Sequence, residues 1–169
     1  LPTIVQSLGL SNVQVGVITS ARQMSNSTLN LPVGAIADKF PRWRDKIMAL
    51  SLLIMGVAYL VLGSADIYIV VIIGALLSGL GSAMWHPTAI GTLSNTFPER
   101  RATALSLHGM GATVLDTLTP LVFGGLLATF YWRSILQVQL VLGLVAGLLL
   151  WRLLRGSFSG EQSKSAEGG

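Results

Sequence analysis

Two opposite charges embedded in apolar sequence have the most chemistry to offer in this chain. Arg22 stands 16 residues before Asp38, and Asp116 stands 15 residues after Arg101. At 1.5 Å of rise per helical residue, both backbones sit roughly 22–24 Å from the charged end of their segments. A lone charge in hydrocarbon costs several kcal/mol, so the matched depth leaves two readings open. Either the two side chains form an intramembrane ion pair, or Arg22 snorkels outward while Asp116 faces water in a cavity. Arg22, Asn26 and Asn30 recur every four residues, and Gln23, Ser25 and Ser27 lie among them. Such a stripe either lines a polar cavity or hydrogen-bonds a neighbouring helix. His86 and His108 fall about 10–17 Å from the basic turn between them. Histidine as a residue type can relay protons near neutral pH, although a membrane histidine is more often a hydrogen-bonded packing residue. No third ligand has the spacing a metal site needs, so no metal or other cofactor is expected. The sequence contains no G-x-S-x-G, no P-loop and no H-E-x-x-H, and Ser106 and His108 are two apart and point to different sides of a helix. An enzyme is not expected.

The elements that position these residues follow from composition. Of 169 residues, 51% are hydrophobic and 11% charged, with mean hydropathy +0.67. A soluble domain carries about 25% charged residues. The reading is an all-α membrane protein whose first partner is the lipid bilayer. The net charge of +4 comes from basic residues clustered beside apolar segments, which suits lipid headgroups and gives no reason to expect nucleic acid. There is no cysteine, hence no disulfide framework or thiolate chemistry.

Runs free of Asp, Glu, Lys and Arg cover residues 47–65, 67–98 and 134–151, each able to cross a hydrocarbon core. Two more runs reach spanning length if they include Arg22 or Asp116. Five transmembrane helices are therefore expected, at about 11–37, 45–63, 66–95, 99–130 and 132–154, within a helical bundle over residues 1–155. Residues 1–10 are too short to span, and their Leu-Pro start looks like the end of an earlier helix or of a loop after one. Lys39, Arg42, Arg44, Lys46, Arg100, Arg101, Arg152 and Arg155 then share one side, against Arg133 alone on the other. That bias makes the basic side and the C-terminus cytoplasmic. Residues 156–169, rich in Gly, Ser and charge, read as a flexible cytoplasmic tail or linker. Small residues four apart at Gly74, Ser78 and Ser82, and at Gly143 and Gly147, predict close helix packing, within the bundle more readily than between copies. Pro87 and Pro120 lie inside predicted helices and should kink them.

The stretch 34–46, GAIADKFPRWRDK, carries six charges between two apolar segments. It resembles the cytoplasmic loop pattern Gly-x-x-x-Asp-Arg/Lys-x-Gly-Arg-Arg/Lys of major facilitator superfamily transporters. Gly34, Asp38 and Lys39 match, Arg42, Arg44 and Lys46 supply the later cations, and Pro41 stands where the family has glycine. The stretches GLGSAMWHP, FPERRATALSLHGMG and TPLVFGG, followed by Tyr-Trp-Arg, look like the fosmidomycin-resistance-type efflux branch. The resemblance implies the N-terminal half of such a transporter lacking its first helix, in a bacterial inner membrane. It also implies alternating access, commonly proton-coupled, on a small organic solute or drug. Gly34, Asp38, Lys39, Arg42 and Arg44 would form a cytoplasmic latch, and Arg22, Asn26, His86, His108 and Asp116 are the cavity or coupling candidates. The expected partners are a C-terminal half or second membrane subunit and a small-molecule substrate. The alternative is a transporter-derived structural or assembly subunit of a larger membrane complex, without transport.

Overall fold

Two Phe-Pro pairs set the frame on the basic side. Proline disfavours helical backbone in the residue before it, so a helix ends at Phe40 and another at Phe97. The two phenylalanines adopt nearly the same conformation, φ −127° and ψ 72° against φ −124° and ψ 62°. Each still donates its N–H to a helical carbonyl, of Ile36 and Leu93 respectively. A single 3₁₀ turn follows in both places, with proline at its first position where no N–H is required.

The computed structural model describes residues 2–155. The tail expectation for 156–169 lies outside the described residues. The elements are all helical among those described: α1 (Pro2–Leu8), α2 (Asn12–Lys39), α3 (Arg44–Gly63), α4 (Tyr68–Thr96), α5 (Arg101–Thr129) and α6 (Trp132–Leu154). Ser11 caps α2 in a reciprocal box with Gln14, each side chain satisfying the other's backbone N–H. Four helical stretches, Pro41–Gly63, Tyr68–Thr96, Pro98–Thr129 and Trp132–Leu154, are long and apolar enough to cross a membrane. The expected fifth, α2, has the length, at 28 residues, but not the apolarity. Its polar run from Arg22 to Asn30 is the reason.

Glycine lets three of the interfaces close. In α4, a Cβ at Gly74 would lie 2.6 Å from the Leu62 side chain of α3. On another face of α4, a Cβ at Gly79 would strike the Arg22 carbonyl of α2. In α6, a Cβ at Gly143 would come 2.6 Å from the Leu52 carbonyl of α3, and one at Gly147 would lie 3.0 Å from that of Ala49. The chain of packing therefore runs α2 to α4 to α3 to α6. Pro32, Pro87 and Pro120 lie inside α2, α4 and α5, each of which is continuous through its proline.

α5 is different. It meets α4 and α6 only marginally, and none of its residues is buried.

The end of the bundle away from the basic turns is closed by an apolar cluster of Ile4, Ile18, Ala65, Val71, Ala75 and Trp132. Arg133 clamps it: Nη2 pairs with Asp66 Oδ1 at 2.9 Å, Nη1 donates to the Gly63 carbonyl at 3.4 Å, and the guanidinium lies 4.8 Å from the Trp132 ring centre.

Candidate functional site

Asn26 and its neighbours illustrate how α2 uses polar side chains. Asn26 donates through Nδ2 to Ser82 Oγ of α4 at 2.8 Å, and Ser25 Oγ donates to the Leu76 carbonyl at 2.9 Å. The missing side chain at Gly79 permits this approach. Part of the polar stripe thus joins α2 to α4, and Asn30 is half-buried beside it.

The ionisable candidates lie on the surface of the bundle. Arg22, His86 and Asp116 are exposed and His108 is half-buried. No ion pair joins Arg22 to Asp116 among the described residues, and α2 makes no substantial contact with α5. Equal depth did not bring the two helices together.

The basic-side loop divides into a buried part and an open part. Arg44, at 3% exposed, donates from Nε to the Ala37 carbonyl at 3.1 Å and reaches Asp38 Oδ1 from Nη2 at 3.5 Å. With the Asn95 amide oriented so that its oxygen faces the guanidinium, that oxygen accepts from both Nη1 and Nη2 at 2.9 Å. Arg44 therefore ties the end of α2 to the end of α4. Asp38 packs near Gly91 but leaves its side chain 74% exposed, and Lys39 and Arg42 are also exposed. Gly34 lies in ordinary contact range of Pro87. Of the five latch candidates, then, Arg44 is buried within the bundle and reaches Asp38, while the Asp38, Lys39 and Arg42 side chains stay exposed.

Sequence reasoning did not single out Asn95. It stands two residues before Phe97, as Asp38 stands two before Phe40, so the repeated Phe-Pro pair was a usable signal. Asp45, 5% exposed in the first turn of α3, suits the positive end of the helix dipole. Its Oδ1 has no hydrogen-bond partner among the described residues, and neither do the buried hydroxyls of Thr88 and Ser94. No group of three or more His, Asp or Glu among the described residues could hold a metal ion.

Long apolar helices, polar contacts between α2 and α4 and a basic loop at one end are features of a helical membrane protein. Residues 1–169 match the family model described as Major Facilitator Superfamily, and the chain belongs to that superfamily of transporters. It is 27% identical to the multidrug resistance protein MdtL of Klebsiella pneumoniae over 92% of this chain and 39% of that protein. It is 29% identical to a probable sulfoacetate transporter of Cupriavidus necator, SauU, over 93% and 35%. It is 26% identical to the fosmidomycin resistance protein of Escherichia coli over 76% and 31%. The chain thus spans about two fifths or less of the length of these relatives. No solved structure matches it significantly.

Proposed function

We propose that this chain is the N-terminal part of an alternating-access carrier that exports a small organic solute or drug, coupled to protons, with its basic side in the cytoplasm. α2 is read as a fifth span. The observation that supports this best is the exposure of Arg22 and Asp116 deep in long helices. Charged groups at such depth face a bundle interior or a water-filled cavity, because contact with hydrocarbon costs several kcal/mol. An opposing half would close that cavity and turn an unfavourable surface into a solute route. An 810 Å³ cleft lies among α1, α3, α5 and α6, lined by Ile4, Tyr59, Phe123 and Trp132. Asp38, Lys39 and Arg42 would meet the other half as a latch, with Arg44 as its internal brace.

Reconstitution into vesicles tests the reading. The full-length carrier is expected to move solute against its gradient and to lose that ability when the proton gradient is collapsed, whereas this chain alone moves none. Asp116→Asn and Arg22→Gln should each lower full-length transport at least tenfold, with additive logarithms in the double variant, since the structure does not pair them. Transport by the isolated chain would overturn the proposal.

A further inference from the structure

The outer face of the α3 and α6 pair carries a groove of about 270 Å³. Its floor is Gly143 and Gly147, whose missing side chains let α6 approach the α3 backbone and leave a trough between rows of leucine. Leu50 and Leu53 form the α3 wall, and Leu144 and Leu148 the α6 wall. The basic end of the groove is built differently. Lys46, in the first turn of α3, is the one charged residue that lines it, and Trp151 closes the opposite side. The Arg155 guanidinium lies 5.1 Å from the Trp151 ring centre.

The geometry points to a binding site for one acyl chain of an anionic phospholipid, with Lys46 holding the phosphate. Three features meet at the basic end: an apolar slot between rows of leucine, an exposed ammonium at its mouth, and an indole, a side chain favoured at membrane–water boundaries. No carboxylate lines the groove, so the charge it lacks is negative. A second copy of this chain fits worse. A twofold axis along the membrane normal would bring Lys46, Arg152 and Arg155 of both copies together on the same side. The site does not depend on which solute the complete carrier moves.

Native mass spectrometry from mild detergent tests it, with the protein mixed with equal amounts of phosphatidylglycerol and phosphatidylcholine of matched chains. Wild type is expected to retain the anionic lipid about fivefold more, the preference one lysine near a headgroup can supply. Lys46→Gln should abolish that preference, while Arg100→Gln, an equal charge change on the same side but away from the groove, should preserve it. Leu144→Trp, which fills the trough with Lys46 intact, should reduce retention of the anionic lipid to the level of the zwitterionic one. Equal losses in Lys46→Gln and Arg100→Gln would mean diffuse surface charge and would overturn the site. So would unchanged retention in Leu144→Trp, or a dimer in place of the lipid adduct.

Discussion

α4 and α5 are the same length, 29 residues, and each contains four or more glycines and a proline. They meet opposite fates. The α4 glycines at 74, 79 and 81 face α3 or α2 at distances no side chain would tolerate, and twelve α4 residues are buried. In α5, added Cβ atoms at Gly109, Gly111, Gly124 and Gly125 would meet nothing within 4 Å. Small residues thus mark where a helix can be approached closely, without saying whether the approaching surface lies in the same chain. In α4 it does. The turns leading into α3 and α5 repeat the contrast, since Arg44 is buried between two helix ends and Arg101, opening α5 after an equivalent turn, is exposed.

The sharpest way to break this contrast is at Gly79. Gly79→Leu would drive a side chain into the Arg22 backbone and displace α2, with an expected loss of about 3 kcal/mol or more, since overpacking against backbone leaves little to relax. Titration of the detergent-solubilised chain with a denaturing detergent, followed by circular dichroism, reads the change. The next effect is at the turns. Arg44→Ala should cost about 2–3 kcal/mol in the same titration by leaving the Ala37 carbonyl and Asn95 without their donor, whereas Arg101→Ala should fall within about 0.5 kcal/mol of wild type. Similar losses at both positions would erase the distinction between the two turns. The smallest effect is a gain. Gly111→Ala should stabilise the isolated chain by about 0.5–1 kcal/mol through helix propensity alone. In the complete carrier proposed above, the same change should lower transport if another helix packs there. Destabilisation of the isolated chain would show that α5 is packed after all.

Helix positions were legible because hydropathy and charge act along one dimension. Apolar runs set the middles of α3, α4 and α6, and Phe-Pro pairs set two of the ends. The small residues at Gly74, Ser78, Ser82, Gly143 and Gly147 likewise announced close packing, which the structure places between helices of this chain. Gly79 and Gly81 were missed because α4 packs on more than one face, so its small residues do not keep one spacing. What runs around the helix axis was harder to read. Arg22 and Asp116 share a depth, but depth carries no information about azimuth or about whether two helices touch. Arg44 was indistinguishable from Arg42 in a short basic loop. Only the fold shows that its side chain turns inward to reach Asn95 on another helix. Apolarity also failed for α2, where the residues that join it to α4 are those that lower its hydropathy.

The bond from Arg133 to the Gly63 carbonyl closes 70 residues of chain. At roughly 5–20 residues per second, a ribosome needs about 4–14 s to make that length. During this interval α3 sits in the bilayer with its glycine-facing side uncovered, and the order of synthesis becomes part of the structure's assembly. A chaperone or lipid able to shield α3 until α6 emerges would therefore act on yield, with no effect on the finished molecule.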